Sequence, residues 1–173
     1  MKSIIKTIKP NMLIDKRDKL TNEISRYWKI IATENVLKKG LTRNYDLKSL
    51  LIHIRATYDE LVNVKLRIQC ANMGIKLKDL SSDANIINIY KLSALNEYMV
   101  KLDEMMKHHT INPVLKAKRG KKGLAVNEEL TYNYLRAKKN ECSLPLNELR
   151  KKIAEFNDNT DLNEEEIPLF LAA

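Results

Sequence analysis

The sequence predicts an all-α protein: long antiparallel helical hairpins forming a three-helix, coiled-coil-like bundle, followed by a small C-terminal helical module. Three observations carry this. An apolar rhythm of alternating threes and fours recurs over residues 11–38, 45–73 and 82–108, and such a narrow seam must be covered by another helix. Only 4 Gly and 4 Pro occur in 173 residues, too few for the many tight turns of an all-β chain. Hydrophobic residues make up 44% of the chain and charged residues 31%, so a sizeable core and a solvated surface can coexist. The expected division is a body over 1–108, a basic loop over 109–124 and a helical module with an acidic-apolar tail over 125–173.

The first ten residues read as a lead-in whose Ile4, Ile5 and Ile8 dock on a neighbouring surface. Pro10 marks the first helix start, because proline is tolerated only in a first turn. The seam of that helix runs Leu13, Leu20, Ile24, Tyr27 and Ile31, and Lys38-Lys39-Gly40 is expected to end it, with cations at the negative end of the dipole and a glycine able to turn left-handed. Asp46 is the candidate N-cap of the second helix, whose seam runs Leu47, Leu51, Ile54, Tyr58, Leu61 and Ile68 before Gly74 closes it. The short connection between the two favours an antiparallel hairpin.

Ser81-Ser82-Asp83 is a dense N-cap signal for a third helix carrying Leu92, Leu95, Met99, Leu102 and Met106. Its first turns hold Ile86, Ile87, Ile89 and Tyr90 and are apolar nearly all round, which points to cover from more than one side. Pro113, Gly120 and Gly123 make 109–124 a loop. Residues 126–140 fit a helix, yet Leu130 to Leu135 is also strand-prone. Ser143 with Pro145 is expected to open a last helix through Leu146, Leu149, Ile153 and Phe156, ahead of a tail in which Glu164-Glu165-Glu166 precedes Ile167-Pro168-Leu169-Phe170-Leu171.

Charge is unevenly placed. The net charge is +9, with 10 basic and 4 acidic side chains in 1–40, 6 basic and none acidic in 107–123, and 6 basic and 10 acidic in 124–173. A basic front and an acidic end can serve a polyanion, or each other in head-to-tail assembly. The 2 cysteines, Cys70 and Cys142, lack the spacing of a metal motif and read as reduced thiols in a cytoplasmic setting. No segment approaches the ~20 apolar residues of a membrane span. The expected location is the cytoplasm, or the inside of a virion.

The order of elements resembles a family of small bacterial and phage helical proteins described as septicolysin-like. The matching pieces are Leu13-Ile14-Asp15-Lys16-Arg17-Asp18-Lys19-Leu20, then Ile68-Gln69-Cys70-Ala71-Asn72, the helix from Leu92 to Leu102, and Asn147-Glu148-Leu149-Arg150-Lys151-Lys152-Ile153. An Arg-Asp pair expected early in that family's third helix is absent here. The resemblance implies helical hairpins that self-associate, and no catalytic residues.

Two features could carry a function. Lys116, Lys118, Arg119, Lys121 and Lys122 place five cations in seven residues beside glycines, a pattern that can follow a phosphate backbone without reading bases; a solvated, merely solubilising loop reads equally well. No Walker pattern, Gly-x-Ser-x-Gly or zincin motif occurs. Adjacent His108 and His109 point about 100° apart on a helix and cannot easily share a metal, so no metal or other cofactor is expected. Trp28, together with Ile167, Leu169, Phe170 and Leu171, is expected at an interface. The reading that follows is a non-enzymatic structural protein that self-associates through its helical seams as a homo-oligomer, encoded by a phage or mobile element and working as a virion component beside other assembly proteins. The alternative is a nucleic-acid-binding accessory protein using the basic loop.

Overall fold

The computed structural model describes residues 9–38, 40–81, 84–111 and 126–160. The fold is all-α. Four helices, α1 (Pro10–Glu34), α2 (Leu47–Asn72), α3 (Asn85–Ile111) and α4 (Tyr132–Asp158), carry the core, with a one-turn 3-10 helix over Leu77–Asp79 between α2 and α3. Two three-residue strands, β1 (Val36–Lys38) and β2 (Val126–Glu128), pair antiparallel with Val36 opposite Glu128.

Local chemistry sets most boundaries. Pro10 occupies the first turn of α1, where its missing N–H is no loss. Asp46 caps α2 by accepting from the Ser49 N–H at 3.0 Å. At the other end of α2, Gly74 has a φ of 68°. Its N–H donates to Ala71 O at 3.2 Å and the Ile75 N–H donates to Cys70 O at 3.0 Å, the paired bonds of a Schellman cap. Thr131 caps α4 by accepting from the Tyr134 N–H at 3.2 Å.

Two expectations are corrected here. The first helix stops at Glu34, ahead of Lys38-Lys39-Gly40, because residues 36–38 pair with 126–128 instead. The last helix does not open at Pro145. It runs unbroken from Tyr132 to Asp158 with Pro145 inside it, at the loss of one helical bond to the Glu141 carbonyl. Buried Leu135 and Leu146 on either side of that gap hold both halves in the core.

Each helix packs on its neighbours in the chain: α2 on α1, α3 on α2 and α4 on α3. Lys16 pairs with Glu60 at 2.6 Å and Glu23 with His53 at 3.5 Å, so α1 and α2 are antiparallel. Asp103 on α3 pairs with Lys139 on α4 at 2.7 Å, while Lys91 and Leu95 share a groove with Pro145, Leu149 and Lys152, so these are antiparallel too. Diagonal contacts complete the bundle. The Trp28 and Tyr98 rings lie 5.8 Å apart across α1 and α3, and the Lys48 ammonium lies 5.5 Å from the Tyr134 ring across α2 and α4.

One hydrophobic cluster runs from Leu13 to Leu146 and includes Leu130, Leu135 and Cys142. The core residues of the 1–108 body and those of the C-terminal module belong to this one cluster. The apolar face of α4 is covered by α3.

Candidate functional site

The two ends of the bundle are built differently, and the difference defines the candidate site. At one end α1 stops, α2 starts and α4 starts, and the chain is closed by a polar clasp. The Asn35 Nδ2 donates to Leu130 O at 3.0 Å, and the Leu130 N–H donates to Asn35 Oδ1 at 2.7 Å. The Arg43 guanidinium donates to Glu34 O at 3.0 Å and to Asn35 O at 2.8 Å, satisfying carbonyls that a helix end leaves without partners. The Glu129 carboxylate accepts from the Leu47 and Lys48 N–H groups at 2.8 and 3.1 Å, placing negative charge at the positive end of α2. Ile31, Leu47, Leu130 and Leu135 beneath this clasp are 0% exposed.

At the opposite end α1 starts, α2 ends, α3 starts and α4 ends. Here the first turns of α3 are less covered: Ile86, Ile87 and Tyr90 are only half-buried. Of the thirteen exposed large hydrophobics among the described residues, seven lie at this end: Met12, Ile14, Met73, Ile75, Leu77, Ile89 and Phe156. Residues 71–79 are exposed without interruption. Scattered apolar residues on a surface are ordinary, but a concentration at one end of a bundle marks a contact surface.

Further grooves run along the flanks of the bundle. One, of about 480 Å³, lies between α1 and α3 over α2 and is lined by Thr21, Ile24, Trp28, Tyr58, Glu97 and Lys101 among others. Another, of about 450 Å³, lies between α2 and α4 and is lined by Leu51, Arg55, Tyr98, Tyr134, Cys142 and Pro145 among others. Burial pushes the Tyr98 and Tyr58 phenols and the Cys142 thiol up. A thiol shifted in that direction is less nucleophilic at neutral pH. On the α1–α2 face, the hydrogen bond from the Tyr27 hydroxyl holds the Glu23 carboxyl below its ordinary range, and the same bond raises the Tyr27 phenol. Each of these shifts carries its group away from a proton exchange near neutral pH. Among the described residues no group of three His, Cys, Asp or Glu side chains is placed to hold a metal ion, and no described helix is long and apolar enough to cross a membrane.

The residues expected to act fall in different places. Trp28 is 6% exposed and packs on Tyr98, so the interface expected for it, between subunits or between helices, is occupied by a contact between two helices of one chain. A seam at helical spacing reports that a partner is needed but not whose it is. Lys116, Lys118, Arg119, Lys121 and Lys122, and likewise Ile167, Leu169, Phe170 and Leu171, lie outside the described residues, as do Ser82, Asp83 and the side chains of His108 and His109. The clasp residues Asn35, Arg43 and Glu129 carry no signal in the sequence, because Asn35 and Leu130 are separated by 95 positions. The exposure of Ile75 and Leu77 has a signal in the sequence, the alternation of apolar and basic residues after Gly74.

Comparison of the chain with family models, curated proteins and solved structures gives no match.

Proposed function

We propose that this chain is a non-enzymatic assembly protein that associates with copies of itself through the open end of its bundle. The observation that carries the reading is the contrast between the two ends: one sealed by hydrogen bonds over fully buried leucines, the other with a half-buried start of α3 and seven exposed large hydrophobics. The seams invoked from periodicity are buried within the chain, so the surface left for association is this end and not the seams. Covering apolar area of this kind stabilises a complex by roughly 25 cal/mol per Å², and a self-complementary two-fold contact is the commonest way to cover it. The setting that would use such a protein is a particle of repeated copies, such as a phage virion.

Sedimentation velocity across a concentration series tests this. The expected result is a mass that rises with concentration, with the rise abolished by Met73→Glu combined with Leu77→Glu and kept by Leu41→Glu at the closed end. A monomer at every concentration, or loss of association from the closed-end change alone, would refute the reading.

A further inference from the structure

The stretch that leaves α2 at the open end has a distinctive chemistry. Met73 is 54%, Ile75 36% and Leu77 39% exposed; Lys65 and Arg67 precede them, Lys76 stands between them and Lys78 follows, with Asp79 as the one carboxylate in 65–79. Among the described residues no carboxylate pairs with any of those four cations. The Schellman cap fixes the direction in which this stretch leaves α2. It is an exposed apolar ridge framed by unneutralised positive charge.

The chain contains a segment of the complementary kind. Residues 161–173 carry Asp161, Glu164, Glu165 and Glu166, no basic residue, and then the apolar run Ile167 to Leu171. Its starting point is also right. Helix α4 ends at Asp158, at the same end of the bundle as the end of α2. Six residues separate Thr160 from Ile167, and an extended chain of that length spans at most about 25 Å. Adjacent helices pack about 8–10 Å apart, so helices on a diagonal of the bundle lie roughly 11–14 Å apart, and the apolar run can reach Met73 from its own α4. A tether this short holds the run at an effective concentration in the millimolar range, which favours docking within one chain over docking on a neighbour.

We infer that the acidic-apolar segment Glu164–Leu171 docks on the Met73–Leu77 ridge of its own chain, its glutamates against Lys76 and Lys78 and its apolar run on Met73, Ile75 and Leu77. The inference rests on the proposed function only for its consequence. The segment and a second copy compete for one surface, so the segment sets the concentration at which copies associate.

The test uses the full chain with paired cysteines, Met73→Cys with Phe170→Cys, oxidised at low protein concentration and read by mass after alkylation. The reference pair is Met12→Cys with Phe170→Cys, at an equally exposed position of the same end. The expected result is an intrachain disulfide that forms at least about tenfold faster in the Met73 pair than in the Met12 pair, reflecting a raised local concentration. Lys76→Glu with Lys78→Glu should remove that advantage, and adding Glu164→Lys, Glu165→Lys and Glu166→Lys should restore it. Equal rates for the two pairs, a bond only between chains, or an advantage that survives the charge reversal would each overturn the inference. Sedimentation of Phe170→Glu separates the two readings. An intrachain bond with no association at any concentration leaves the docking standing and removes the assembly role; association without the bond does the reverse.

Discussion

Asn35 and Leu130, 95 positions apart, exchange two hydrogen bonds: the Asn35 amide gives one to the Leu130 carbonyl and takes one from the Leu130 N–H. Asn35 is 2% and Leu130 0% exposed. The amide thus acts as a one-residue extension of the β1–β2 ladder, ending α1 and placing the start of α4 in one step. Replacing Asn35 with Ala deprives a buried donor and a buried acceptor of their partner, and each such loss costs about 1–3 kcal/mol. The expected change in urea unfolding is about 2–6 kcal/mol. Asn35→Asp, which can accept but not donate, should recover less than half of it.

The unequal packing of the two ends predicts unequal costs for the same truncation. Leu102 is 0% exposed, and Leu102→Ala should fall in the upper part of the 2–5 kcal/mol range for buried leucines, about 4 kcal/mol. Leu13 at the open end has less surrounding structure to leave empty, and Leu13→Ala should cost about 2 kcal/mol. Equilibrium unfolding of the two variants checks the order, and a reversed order would deny that the core is graded.

Gly74 has a φ of 68° and no heavy atom within 4 Å of the place a Cβ would take. Gly74→Ala therefore adds backbone strain and no clash, and should cost about 1 kcal/mol. The same substitution at Gly40, with a φ of 93° and equally open space, should also destabilise. Thermal unfolding of both variants provides the measurement.

Alkaline conditions should weaken the fold in a defined direction. Burial raises Tyr58 and Tyr98 above the ordinary phenol value, so above pH about 10 the unfolded chain has shed protons the folded chain still holds. The stability these groups contribute is present in full below that pH and is lost as pH rises toward their folded values. Urea midpoints should fall steadily above pH 10, and Tyr98→Phe should flatten the fall. Phenolate absorbance of these two residues should appear with unfolding and not before it.

Local signals were readable where the cause is local. Pro10, Asp46 and Gly74 stand where the sequence places a start, a cap and an end, because each acts within four residues of itself. The stripes through Leu20, Ile31, Leu51 and Leu102 are core, as a spacing of three and four requires. The end of α1 was not readable, since the cause lies in residues 126–130. Nor was the continuity of α4, because the buried contacts of Leu135 and Leu146 override what Pro145 favours alone. The ambiguity over 126–140 resolves toward helix from Tyr132, which takes in most of the strand-prone Leu130–Leu135 stretch, while the strand falls ahead of it at Val126–Glu128. The candidate site was legible only as composition. Which apolar residues remain uncovered depends on four helices ending together.

Because every helix lies against the one that precedes it in the chain, most contacts join residues close in sequence, and a topology of this kind is quick to form. The hairpins can close one after another, whereas the Asn35–Leu130 pairing must wait for closure of a loop that contains the whole of α2 and α3. That makes it a late event on the folding route. Breaking it should quicken the departure from the native state and leave the rate of reaching that state nearly untouched.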